Sequence, residues 1–179
     1  FVHFFLHPQF CQEMDLLPIW TKWLNNCFIT YVGLNVHFHQ LDITDIRSIK
    51  RLHNFMKKKY SGIDVLVNNA GISQRSPAVD TDLSVYQRIV DVDLLAPIAL
   101  TQALLSHMVS RGGGQIVMIS SVAGKAGIPM RTAYCAAKHG LIGYADALRS
   151  EVAGQGVKVL VVAPGSVKTN VSRNALNAD

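Results

Sequence analysis

Tyr134 and Lys138, within Tyr134-Cys135-Ala136-Ala137-Lys138, are the residues whose types and spacing most readily suggest chemistry. Residues four apart on a helix project from one face, which would set a phenol beside an ammonium. A phenol ordinarily loses its proton near pH ~10. A cation held beside it favours the phenolate, so the pairing predicts a lowered Tyr134 that can give and take a proton near neutral pH. Ser120-Ser121 lies shortly before the pair, at the end of an apolar run. Tyr and Lys also fall four apart on ordinary solvated helices, so the elements around them must decide the reading.

Those elements form a regular rhythm from Val36 onward. Residues 36–42 read as an apolar-rich strand, and residues 43–59 as a helix with Ile46, Ile49, Leu52 and Phe55-Met56 at helical spacing. Thr44 is a candidate N-cap, with Asp42 competing for the role, and Ser61-Gly62 ends the helix. Residues 63–67 form a short β-branched strand closed by Asn68-Asn69-Ala70-Gly71. A long helical region over 82–110 follows, with a kink predicted at Pro97. Strands over 115–119 and 157–162 then flank a helix over 132–153, and Ala163-Pro164-Gly165 ends the last strand. Short apolar strands alternating with helices predict an α/β fold, a parallel sheet with helices on both faces.

The bulk composition fits a single globular domain: 179 residues, 49% hydrophobic and 16% charged. The net charge is +5, yet the only basic run, Lys57-Lys58-Lys59, closes a helix whose negative dipole end suits cations. No nucleic-acid partner is expected, although the balance tolerates a phosphorylated cofactor. Cys11, Cys27 and Cys135 are odd in number and lack metal-ligand spacing, so neither a disulfide framework nor a metal site is predicted. Cys135 reads as a small buried filler. His37, His39 and the earlier histidines find no acidic partner at credible spacing. No run reaches the ~18 apolar residues of a membrane span. Residues 1–35, with two tryptophans and Pro8 and Pro18, break the rhythm and read as an irregular aromatic leader of uncertain structure. The chain opens on Phe1 rather than Met, which leaves any anchor or targeting signal outside view.

In open parallel sheets ligands gather at the carboxyl ends of the strands. Here Asn68-Asn69-Ala70-Gly71, Ser120-Ser121 and Pro164-Gly165 end successive strands, and the helix after the second carries Tyr134 and Lys138. With Ile119-Ser120-Ser121 and Pro164-Gly165-Ser166-Val167-Lys168-Thr169, these motifs resemble, in order and separation, the short-chain dehydrogenase/reductase family. The tail from Val171 to Asp179 is similar to the member 7 and 7B group of that family. The likeness covers residues 36–179 and implies a Rossmann-like, doubly wound parallel sheet without its first β-α unit and last strand.

The resemblance also implies roles. Tyr134 would exchange a proton with the substrate oxygen while hydride moves to or from a nicotinamide. Lys138 would lower Tyr134 and bind the nicotinamide ribose, and Ser121 would hydrogen-bond the carbonyl or hydroxyl, with Ser120 as its structural neighbour. Asn68, Ala70 and Gly71 would line the adenosine side and Asp42 the adenine edge, while Pro164, Gly165 and Thr169 would flank the nicotinamide. NADP or NAD would be the cofactor, NADP slightly preferred, and the substrate a small lipophilic carbonyl compound or alcohol. A homo-oligomer paired through the two long helices is implied, as is the endoplasmic reticulum membrane, with the cytoplasm as the alternative. Two departures stand out. The family's Thr-Gly-x-x-x-Gly-x-Gly turn, which receives the pyrophosphate, has no counterpart in the chain. Asp93 occupies the position where the family usually has Asn. Both keep open an alternative, a catalytically silent Rossmann-like binding or interaction module.

Overall fold

The computed structural model describes residues 4–6, 39–166, 171 and 174–177. Helix α1 (Ile46–Tyr60) starts at Asp45, whose carboxylate accepts the Arg47 N–H at 2.9 Å, and stops at Ser61 in left-handed backbone. Asp45 is thus the cap, not Thr44. Thr44 instead donates its N–H and its hydroxyl to Asp42, at 2.9 and 2.7 Å, closing a turn one step earlier. Lys57, Lys58 and Lys59 fall in the last turn of α1, where the dipole favours them.

Strands β2 (Val65–Asn68), β3 (Gly114–Ile119) and β4 (Val157–Val162) run parallel, with Leu66, Ile116 and Val159 on one rung. Strand β1 (Phe4–Leu6) adds an antiparallel edge on β2, setting Phe5 opposite Leu66. This short strand departs from the irregular leader predicted for residues 1–35. The strand predicted over 36–42 also changes: residues 36–38 lie outside the described residues, and residues 39–42 form no strand. A strand offers two hydrogen-bonding edges, and those of β2 are taken by β1 and β3. Leu41 and Ile43 pack instead against the small cluster of Ala70, Val92 and Ala96.

Helix α2 (Leu83–Val90), a π-helical turn (Asp91–Leu95) and α3 (Ala96–Ser110) follow β2, and α4 (Thr132–Val152) links β3 to β4. Among the described residues the helices gather on one face of the sheet rather than both. Leu66, Ile116, Met118, Val157 and Val159 point into a core filled by Ile49, Leu52, Leu100, Leu104, Met108, Leu141 and Leu148. On the opposite face Leu160 and Val162 stay partly open, at 47% and 37% exposure. Two right-handed crossovers that step the same way across a sheet must put their helices on the same side.

The irregularity expected at Pro97 lies just before it. Pro97 has no N–H to return to the carbonyl of Asp93, four residues back, so the α register cannot run through. The turn widens, and the Ala96 N–H bonds to the Asp91 carbonyl. Contrary to expectation, the 28-residue helical stretch Leu83–Ser110 is by length and composition apolar enough to cross a membrane, one 18-residue window reaching a mean hydropathy of 1.6. In this fold its apolar residues Leu100, Leu104 and Met108 form core instead.

Candidate active site

The carboxyl ends of three parallel strands meet along one edge, stitched by main-chain bonds. The Ser120 N–H reaches the Val162 carbonyl at 2.8 Å, and the Val122 N–H reaches the Pro164 carbonyl at 3.0 Å. The Ser121 hydroxyl accepts the Ala123 N–H at 3.2 Å and so caps the 3-10 turn Val122–Gly124. Gly124 lets this turn lie directly on α4, since a Cβ there would stand 2.7 Å from the Lys138 carbonyl. Ser120 is buried and donates to that same carbonyl at 3.2 Å, a structural tie, while Ser121 is half-buried and its hydroxyl acts on the Tyr134 phenol, favouring the phenolate.

Tyr134 and Lys138 share a face of α4 as their spacing predicts, with the Lys138 ammonium 5.7 Å from the centre of the Tyr134 ring. The ammonium, however, is directed elsewhere. It donates to the Ile119 carbonyl at 3.0 Å and pairs with the Asp93 carboxylate at 3.2 Å. Both side chains are buried, Asp93 completely, and Asp93 also accepts the Ile72 N–H at 2.8 Å. The π-helical turn is what aims Asp93 inward, a common placement for functional groups. Burial pushes the Asp93 carboxyl above its ordinary range, opposed by Lys138 and by the Ile72 N–H. Tyr134 is raised, not lowered as its neighbour predicted. Burial is the main cause; the Ser121 hydrogen bond opposes it, Asp93 adds to it, Arg131 opposes and Cys135 adds. Burial thus outweighs the lysine, whose charge is in addition matched by a carboxylate.

The other residues singled out in the sequence divide. Gly71 lies against the ion pair, where a Cβ would stand 3.0 Å from Asp93 Oδ2 and 3.5 Å from Lys138 Nζ. The Asn68 side chain is buried behind the edge, its amide donating to Thr101 at 3.0 Å and contacting Met118 Sδ at 3.2 Å. Ala70 packs beneath Ile43, which brings the exposed Asp42 turn next to this loop. Asp42 is held below the ordinary carboxylate range, chiefly by the Thr44 hydroxyl. Pro164 and Gly165 stand at the end of β4, and Thr169 lies outside the described residues. Cys135 is buried, its sulfur 3.3 Å from the Ile128 nitrogen. Among the described residues no cluster of three His, Cys, Asp or Glu could hold a metal ion.

Sequence reasoning missed Gln74. Within Ile72-Ser73-Gln74-Arg75-Ser76 it reads as loop, yet its side chain is fully buried. Its carbonyl oxygen accepts the Ala133 N–H at 2.9 Å, satisfying a free donor in the first turn of α4 beside Tyr134. Its amide reaches Thr81 at 3.1 Å and Ser76 at 3.3 Å. The same segment bonds to Arg131 through Ser73 at 3.0 Å and to Leu176, whose N–H meets the Ser73 carbonyl at 2.7 Å. Gln74→Ala strands the Ala133 N–H and is expected to cost about 1–3 kcal/mol, measured by urea denaturation. An unchanged midpoint would show that the α4 start does not depend on it.

Residues 22–179 match the family profile described as short chain dehydrogenase. The chain is 48% identical over 122 residues to "Dehydrogenase/reductase SDR family member 7B" of Danio rerio, a match covering 68% of this chain and 40% of that protein. The like-named protein of Xenopus laevis is 40% identical over 175 residues, covering 97% of this chain and 54% of that one. A crystal structure of a short-chain dehydrogenase from Streptomyces avermitilis superposes with a TM-score of 0.71 at 37% identity, over 74% of this chain and 50% of its own. The chain thus spans about half the length of these relatives.

Proposed function

This chain belongs to the short-chain dehydrogenase family, and from that premise we propose that it serves an NAD(P)-dependent oxidoreductase interconverting a carbonyl and a secondary alcohol on a small lipophilic substrate. The observation that carries the reading is the meeting of Ser121, Tyr134 and Lys138 at the carboxyl edge of the sheet. Tyr134 is the proton donor and acceptor at the substrate oxygen, and Ser121 holds that oxygen in place. The bound dinucleotide supplies the hydride.

The residues present fit the nicotinamide end of such a cofactor. A lysine ammonium has three protons to donate. Asp93 and the Ile119 carbonyl take two directions, which leaves one for a ribose hydroxyl. Pro164 and Gly165, at the end of β4, would flank the ring. NADP(H) is the first cofactor to test and NAD(H) the second. A homo-oligomer formed through the helical region 82–110 and the helix over 132–153, and residence at the endoplasmic reticulum membrane, rest on family resemblance; sedimentation and cell fractionation test them.

Asp93 matching the Lys138 charge also supports a second reading, a silent Rossmann-like interaction module. Thermal shift and nicotinamide fluorescence with NADPH and NADH separate the two. A dose-dependent rise in melting temperature with quenched or shifted cofactor emission is expected; no response at millimolar cofactor sinks the oxidoreductase reading for this chain.

A further inference from the structure

We propose that Asp93 holds the Lys138 ammonium in an internal ion pair and so keeps Tyr134 protonated through neutral and alkaline pH, leaving the site ready to donate a proton in carbonyl reduction. The proposal rests on the oxidoreductase reading for its functional meaning, but its physical content lies in three side chains, Asp93, Lys138 and Tyr134. Asp93 Oδ2 stands 3.2 Å from Lys138 Nζ, and both groups are nine-tenths or more buried. At that separation the two charges act on their surroundings as a dipole, whose influence falls off faster with distance than that of a lone cation. The Tyr134 ring, 5.7 Å from the ammonium, therefore receives little of its stabilisation.

Among the described residues the other cation acting on Tyr134 is Arg131, whose lowering effect is smaller than the rise that burial causes. The groups facing Tyr134 are Ser121 from the loop after β3, Asp93 from the π-helical turn, and Arg131, Cys135 and Lys138 from α4 and its start. Arg131 is turned toward Ser73, 3.0 Å away. From α2, Tyr86 contributes a hydroxyl already bonded to Thr132 at 2.7 Å. An asparagine at 93 could still accept the Ile72 N–H but would leave the Lys138 charge unmatched. The carboxylate is thus what distinguishes this site from a bare Tyr–Lys pair.

In reduction the Tyr134 O–H bond breaks as the substrate O–H forms. A bound reduced dinucleotide would supply the hydride for the carbonyl carbon, and the tyrosinate regains a proton from solvent. The overall equilibrium is untouched by Asp93. Together with the burial of Tyr134, it sets the pH at which the donor is lost.

The test is an ultraviolet tyrosinate titration of the full chain, with the titration of Tyr134→Phe subtracted to isolate Tyr134. In the wild type its midpoint is expected above ~10. Asp93→Asn is expected to lower it by about one pH unit or more, a tenfold or greater gain in ionisation constant. Asp93→Asn combined with Lys138→Met removes both charges and is expected to return the midpoint most of the way. An Asp93→Asn midpoint equal to wild type overturns the proposal. Should that variant fail to fold, the wild-type titration decides, since a Tyr134 midpoint below ~10 overturns it equally. The readout needs no cofactor, so a failure of the oxidoreductase reading leaves it intact. Where NADPH does bind, the alkaline loss of carbonyl reduction should set in at lower pH in Asp93→Asn.

Discussion

Tyr134→Phe is expected to lower turnover by about a hundred- to ten-thousand-fold, the contribution of a positioned proton donor, with fold and cofactor affinity kept. The change deletes one oxygen and leaves the ring in place on α4. The half-buried Ser121 hydroxyl that acts on the phenol retains its contact with the Ala123 N–H at 3.2 Å. Steady-state rates with NADPH and a panel of hydrophobic ketones check this, alongside a thermal melt with and without cofactor. A loss smaller than about tenfold would remove Tyr134 from the proton-transfer step.

Lys138→Met is expected to be the most destabilising single change at the site, about 3–5 kcal/mol, because it strands a buried charge. Asp93 is 0% exposed and would keep only the Ile72 N–H, while the Ile119 carbonyl would lose its donor. The pH dependence has a definite sign. Burial raises the folded-state Asp93 value above its unfolded one, so the folded state binds the proton more tightly. Its contribution to stability is full below the unfolded value and is lost as pH rises through the folded value. Removing Lys138 takes away the group that limits this rise, so the variant should lose more stability near pH ~8 than near pH ~5, where a raised carboxyl can protonate. Urea denaturation at both pH values tests it. Equal losses would mean that Asp93 stays in one protonation state across the window.

Much of the scaffold was legible because its signals are local. Helix α4 was predicted over 132–153 and runs Thr132–Val152, and β4 matches its predicted span, since periodicity and Gly or Pro punctuation act over a few residues. The strand-end motifs were equally readable, and their convergence follows once the strands are parallel neighbours. Residues 39–42 form no strand because propensity needs a partner, and both edges of β2 are already taken by β1 and β3. Gln74 gave no signal because its importance comes from meeting Ala133, 59 positions away, not from its own surroundings in the chain.

By itself the sequence determined that Tyr134 and Lys138 share a helix face and that a serine precedes them at a strand end, because spacing alone sets those relations. Only the tertiary structure decided what the pair can do. It swung Asp93 inward on a π-helical turn, buried it against Lys138 and raised the phenol that the lysine was expected to lower. Helical geometry is carried by neighbours in the chain, whereas proton affinity is set by desolvation and by charges that folding brings from afar.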